Sequence, residues 1–145
     1  MSFAILDIDH VVFRVRDLTR MEAFYREALG CPVIKRQDHL GLVHIRVGRA
    51  LVDLVSVDGK LGRAGGAAPG PEGHNVAHLC LRVEPFDAAA IRTFMAASGV
   101  PCSEPSSNFG AEGEGLSLYL TDPEGNTIEL KGPSISDPQD SRPIL

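Results

Sequence analysis
The chain repeats itself, and the repeat constrains its fold more than any other feature. The segment Asp9-His10-Val11-Val12-Phe13-Arg14-Val15 reads x-His-apolar-x-apolar-Arg-Val, and so does Ala77-His78-Leu79-Cys80-Leu81-Arg82-Val83. Further along, each copy reaches a matching break, Leu29-Gly30-Cys31-Pro32-Val33 in the first and Ser98-Gly99-Val100-Pro101-Cys102 in the second. Short echoes arise by chance, but His, Arg, Val, Gly and Pro held in register mark a duplication. A duplicated chain folds as two copies of one supersecondary unit.

The periodicities predict what that unit is. Residues 8–16 alternate as a strand, with Val11, Phe13 and Val15 on one face and His10, Val12 and Arg14 on the other. A helix follows, opened by the capping box Thr19-x-x-Glu22. Its stripe of Met21, Phe24, Tyr25, Ala28 and Leu29 has the spacing of one buried face, and Gly30 and Pro32 end it. Strands are expected near 32–37, 41–47 and 50–57, the last two joined by a tight turn at Gly48-Arg49. The second copy repeats the order: a strand over 75–83, then a helix from Asp87 to Gly99 that buries Ile91, Phe94 and Met95. Strands near 101–104, 115–121 and 126–131 complete it, the last pair joined by the turn Asp122-Pro123-Glu124-Gly125.

Each copy is therefore βαβββ, and the chain reads as α+β with two such modules in tandem. Module one is expected over 5–57 and module two over 74–131, inside one domain spanning 1–145. Residues 58–73 are rich in Gly, Ala and Pro and read as a flexible linker, and 132–145 as a loose tail.

Composition narrows the function by exclusion. A chain of 145 residues with 43% hydrophobic content has room for one real core. A net charge of -5 and the lack of any Lys/Arg cluster argue against nucleic acid as a partner. No apolar run approaches the roughly 20 residues that span a bilayer, so no membrane partner is expected. The three cysteines form no C-x-x-C pair, which excludes a Cys-rich zinc site and fits reduced thiols in a cytoplasmic protein. The first residues carry no signal-peptide pattern, which fits the same localisation.

The duplication also points to a site. Each last strand holds one carboxylate in an apolar run, Leu51-Val52-Asp53-Leu54-Val55 in the first copy and Thr127-Ile128-Glu129-Leu130-Lys131 in the second. An acid there is expensive unless something compensates it. Taken singly, a strand histidine is more often a hydrogen-bonded core residue than a ligand, and a strand carboxylate can simply face solvent. Taken together, His10 and His78 at one repeat position and Asp53 and Glu129 at another suggest the ligands of a divalent cation. His44, on the strand beside Asp53, is a competing ligand without a partner in the other copy. His39 and His74 sit beside turns, where solvation is the default.

With these residues laid out, the chain resembles the vicinal-oxygen-chelate superfamily, which holds glyoxalase I, extradiol dioxygenases, and fosfomycin- and bleomycin-resistance proteins. The telling segments are His10-x-x-x-Arg14-Val15-x-Asp17-Leu18 with Phe24-Tyr25 and Leu29-Gly30, and Asp122-Pro123-x-Gly125-Asn126-x-Ile128-Glu129. The resemblance implies the glyoxalase/dioxygenase fold, in which the modules' curled mixed sheets form a metal-holding cup, and a homodimer. It implies His10, Asp53, His78 and Glu129 as ligands of one divalent ion (Ni, Zn, Co, Mn or Fe), with Asp53 standing where such enzymes usually carry the longer Glu. It also matches Arg14 to an arginine that holds a glutathione carboxylate, whereas Val57 stands where those enzymes have an asparagine. Phe109, Gly113 and the tail stand where fosfomycin-resistance enzymes have phosphonate-binding side chains, which argues against fosfomycin.

The leading expectation is thus a glyoxalase-type lyase or isomerase acting on a small molecule with vicinal oxygens, similar to lactoylglutathione lyase. In it Glu129 doubles as the catalytic base, and Arg14 and Arg82 anchor the substrate. The alternative is an iron(II)-dependent extradiol-type dioxygenase, in which His10, His78 and Glu129 form the triad. A resistance-type binder of a cationic drug ranks last, since such proteins generally lack the ligand set.

Overall fold
The computed structural model describes residues 3–135, which divide into two compact units, one up to Asn75 and one from Val76. The end of the expected tail, 136–145, lies outside the described residues. Among the described residues, no helix is long and apolar enough to cross a membrane.

In the first unit, β1 (His10–Val15) leads into α1 (Leu18–Ala23), whose last turn widens into a π-helical turn over Phe24–Ala28. Strands β2 (Val33–Gln37), β3 (Leu42–Val47) and β4 (Ala50–Ser56) follow. They form a mixed sheet in the order β1-β4-β3-β2, with β1 parallel to β4. In the second unit, β5 (Leu79–Arg82), α2 (Ala88–Ala97), β6 (Ser106–Gly110), β7 (Gly113–Thr121) and β8 (Thr127–Lys131) give the order β5-β8-β7-β6. Here β5 runs parallel to β8. Two mixed sheets with one order and one parallel pair each are what tandem βαβββ modules require.

Apolar alternation sets the registers. Phe13, Val15, Val52 and Leu54 are buried on one face, together with Met21, Phe24, Tyr25 and Ala28 from the helical segment, as the stripe predicts. Each of the larger of these side chains contributes about 1.5–3 kcal/mol on burial. A one-residue slip of β1 would expose Phe13 and Val15 and bury His10 and Arg14 instead. The face carrying the polar residues is thus held in place by the apolar face behind it.

Four local expectations are corrected. The cap of α1 is Asp17, whose carboxylate accepts from the Arg20 amide at 3.0 Å, so Thr19 sits inside the helix. The strand expected at 101–104 lies instead at β6, because Pro101 and Pro105 bring no N–H to a ladder. Only Ser103 pairs there, through its amide to the Tyr119 carbonyl at 2.9 Å. The strand expected over 75–83 is shorter, so His78 stands just before β5. In α2, Met95 is the buried residue and Phe94 is 56% exposed, because the helix is seated on a narrower stripe than its spacing suggests.

The segment after β4 is hydrogen-bonded to the first sheet. Arg14 donates from Nε to the Gly62 carbonyl (3.1 Å), from Nη1 to those of Gly65 (2.8 Å) and Ala67 (3.2 Å), and from Nη2 to that of Gly66 (2.7 Å). The Arg14 amide donates to Asn75 Oδ1, and the Asn75 side-chain amide donates to the Arg14 carbonyl, both at 3.0 Å. All three guanidinium nitrogens of Arg14 thus hold backbone, a structural task that its sequence position does not reveal. Arg14→Met is expected to lower the unfolding free energy by about 1–2 kcal/mol, since these charged hydrogen bonds are largely solvent-screened. Thermal melts should show that loss while metal affinity stays unchanged. A raised KM at unchanged stability would instead make Arg14 a substrate contact.

Candidate metal centre
Each unit brings one histidine and one acid to the polar face of its own sheet. In the second, β5 and β7 flank β8, so that Glu129 lies opposite Cys80 on one side and Tyr119 on the other. The Glu129 carboxylate is 4% exposed between the apolar Ile128 and Leu130. Its Oε2 is 3.2 Å from His78 Nε2, and its Oε1 is buried without a hydrogen-bond partner. An orphaned carboxylate oxygen beside an imidazole is an arrangement that a cation completes.

The turn before β8 aims it. Asp122 Oδ1 accepts from the amides of Glu124 (3.0 Å) and Asn126 (2.9 Å), and Oδ2 accepts from the Asn126 side chain at 2.7 Å. Burial pushes the Asp122 carboxyl above its ordinary pKa, while these hydrogen bonds pull it back. Closure of the turn at Thr121 and Thr127 fixes the pairing that puts Tyr119 opposite Glu129.

Around Glu129, the Cys80 thiol is pushed up to about 11 by burial, with the Glu129 charge adding to the shift. It therefore stays protonated near neutrality and is a poor nucleophile. Burial, and then the same charge, raise the Tyr119 phenol. Its ring meets His78 edge-on, with centroids 6.0 Å apart. A cavity of about 280 Å³ opens on this face, lined by His78, Cys80, Arg82, Phe109, Glu129 and Lys131 among others.

The first unit carries the equivalent pair with different neighbours. Asp53 lies opposite Val12 and His44 and is 4% exposed. His44 Nδ1 is 2.8 Å from Asp53 Oδ1, and His44 Nε2 is 2.9 Å from Gln37 Nε2. With the Gln37 amide donating to Nε2, His44 donates from Nδ1 and holds one Asp53 oxygen. His10 Nδ1 is 2.6 Å from the Asp9 carboxylate, which raises the His10 pKa, with a smaller contribution from Asp53 opposed by desolvation. That contact leaves Nε2 as the nitrogen that could hold a cation, a common arrangement behind metal-binding histidines.

The structure thus brings together His78 with Glu129, and His10 with Asp53, each pair within its own unit. Among the described residues, no three of His, Cys, Asp and Glu are gathered as a ready metal group. Arg82 lines the cavity and is paired with Glu112 (2.7 Å) and Glu84 (3.5 Å). Sequence reasoning missed Asp9, Tyr119 and Lys131, and set His44 aside. The register could have found two of them: a turn at Gly48-Arg49 places residue 44 opposite 53, and the Asp122 turn places 119 opposite 129.

Comparison with known proteins agrees with this architecture. Residues 7–130 match the family model of the Glyoxalase/Bleomycin resistance protein/Dioxygenase superfamily. A virulence protein from Salmonella typhimurium is similar in fold, at 23% identity and a TM-score of 0.76, covering 91% of this chain and all of that one. Lactoylglutathione lyase from Agrobacterium tumefaciens is 22% identical with a TM-score of 0.64, covering 89% of this chain and 95% of its own. The antibiotic-binding protein TnmS3 from Streptomyces sp. CB03234 is 25% identical with a TM-score of 0.67, covering 91% and 99%.

Proposed function
The chain belongs to the Glyoxalase/Bleomycin resistance protein/Dioxygenase superfamily, and from that premise we propose that it is a divalent-metal-dependent lyase or isomerase of glyoxalase type. The observation that supports this most is the buried Glu129 carboxylate, with Oε1 unpartnered and Oε2 3.2 Å from His78. A carboxylate with that surplus accepting capacity fits a cation, and a residue kept only for packing would not carry it. The proposed ligand set is His10, Asp53, His78 and Glu129.

A bound divalent ion would polarise two vicinal substrate oxygens and stabilise the anion formed on them. The protein's own part is proton movement and orientation. Glu129 takes the proton from one carbon and returns it to its neighbour, and Tyr119 and His78 hold that carboxylate from either side. Arg82 remains the proposed substrate-binding arginine on this face. Exposed Phe94 and Ile34 support a homodimer as the working assembly.

One observation favours a second reading. The hydrogen bond from His44 commits one Asp53 oxygen, and without Asp53 the set reduces to two histidines and one carboxylate. That is the donor set of iron(II) oxygenases.

Metal titration separates the readings. Wild-type protein is expected to bind about one Ni²⁺ or Zn²⁺ per chain, to run as a dimer in light scattering, and to lose thermal stability on chelation. Asp53→Ala should weaken that binding at least tenfold and remove proton exchange at a 2-oxoaldehyde hemithioacetal. Full retention of metal in Asp53→Ala, with turnover of a catechol under oxygen by the Fe²⁺ form, would replace the lyase reading. Absence of any metal or chelator effect would leave the binder, as in TnmS3.

A further inference from the structure
The second sheet holds a buried cation that the metal reading does not use. Lys131 is the last residue of β8, two positions past Glu129 and therefore on the same face. It is 5% exposed, yet it lines the cavity. Its Nζ donates to the Asn108 carbonyl and, at 3.1 Å, to the Gly115 carbonyl. Among the described residues it makes no ion pair, although Arg82, the other cation of the recess, has Glu112 and Glu84.

The fold makes room for this lysine. A Cβ built on Gly110 would lie 2.7 Å from Lys131 Cε, and one on Gly115 would lie 3.1 Å from Nζ and 2.5 Å from the Pro133 carbonyl. Two strand positions that ordinarily favour bulky residues are thus glycine where the lysine passes. A strand-end lysine with only packing to do would extend its ammonium into water. This one is led back to a cavity wall, where two carbonyls satisfy two of its three protons. No anion lies within ion-pair distance of this ammonium among the described residues, and a negative group in the cavity would complete it.

We propose that Lys131 is the anchor of an anion subsite in the second unit's cavity, and that the substrate carries an oxyanion, carboxylate or phosphate, beside its metal-chelated oxygens. The subsite rests on this chain's own side chains. Its place in substrate binding rests on the function proposed above. The third ammonium proton contacts the oxyanion, while Arg82 is held by Glu112 at the rim and lends a weaker attraction. Glu129 would repel an anion in the free protein and cease to do so once a cation neutralises it. Affinity for the oxyanion should therefore rise on metal loading.

The test titrates inorganic phosphate and, separately, acetate into the full chain, first with EDTA and then loaded with Ni²⁺, reading binding by calorimetry. Wild-type protein should bind one of the two with a Kd of millimolar order without metal, and at least threefold more tightly with Ni²⁺. Preference for phosphate or for acetate identifies the tetrahedral or the planar source. Lys131→Met keeps the stem, removes the charge, and should weaken binding at least tenfold while Ni²⁺ affinity stays within about threefold. Gly110→Ala keeps the charge but displaces the stem, and should weaken anion binding as well. Equal anion binding by wild type and Lys131→Met, or none by wild type, overturns the subsite. Anion binding that depends on Lys131 in a protein that takes no metal would keep the subsite and remove the metal reading.

Discussion

Replacing Glu129 with glutamine is expected to weaken divalent-metal binding by roughly 10²–10³-fold. A structural ion held by four protein ligands gains about 10–16 kcal/mol in favourable cases, or about 2.5–4 kcal/mol per ligand. Glutamine preserves the shape of the side chain and its place between Ile128 and Leu130, but it brings no charge to the cation. The free protein should respond in the opposite direction. Glu129 Oε1 is buried with no partner, so removing the charge should leave metal-free stability unchanged or raise it slightly. Calorimetric titration with Ni²⁺ and thermal melts in EDTA read the two effects separately. A variant that binds metal normally but unfolds more than about 1 kcal/mol more easily would make Glu129 a structural acid and undo the site.

Gly62→Ala is the second large effect, and it falls on stability. The backbone after β4 turns back so closely that a Cβ on Gly62 would lie 1.8 Å from the Ser56 carbonyl oxygen and 2.8 Å from Val57 Cα. Both obstacles are backbone, so no rotamer change relieves them. The turn is also tied from the other side, because the Gly62 carbonyl accepts from Arg14 Nε. Displacing it strains the hydrogen bond together with the chain. A loss of about 3 kcal/mol is expected, in the range where steric overpacking becomes diagnostic. For a chain of this size that lowers Tm by roughly 10 °C. A shift below about 2 °C would show that the turn relaxes freely.

The repeat made the topology legible, because two copies of one motif must satisfy the same sheet order. His10, Asp53, His78 and Glu129 stood out as a set from repeat position alone, whereas their grouping within each sheet depends on the register. The differences between the copies were harder to read. Asp53 faces a histidine and Glu129 faces a tyrosine, which depends on cross-strand register and not on neighbours in sequence. Lys131 was read only as the end of a strand, because its burial depends on two glycines on another pair of strands. The misplaced β6 and the cap at Asp17 share one cause. A proline or a capping acid acts through the one amide it removes or satisfies, and periodicity does not register that.

The Asn75 side chain has a consequence for assembly. Strand β1 ends the first sheet, so its outer backbone groups are open to another strand. At Arg14, however, the Asn75 carboxamide already fills both the donor and the acceptor, acting as a single peptide group of an added strand. Edge-to-edge growth of the sheet would have to evict it first. A second copy would therefore have to dock through side chains and not by extending the sheet at this point, and such contacts close into a finite assembly where ribbon-like pairing would continue into fibres.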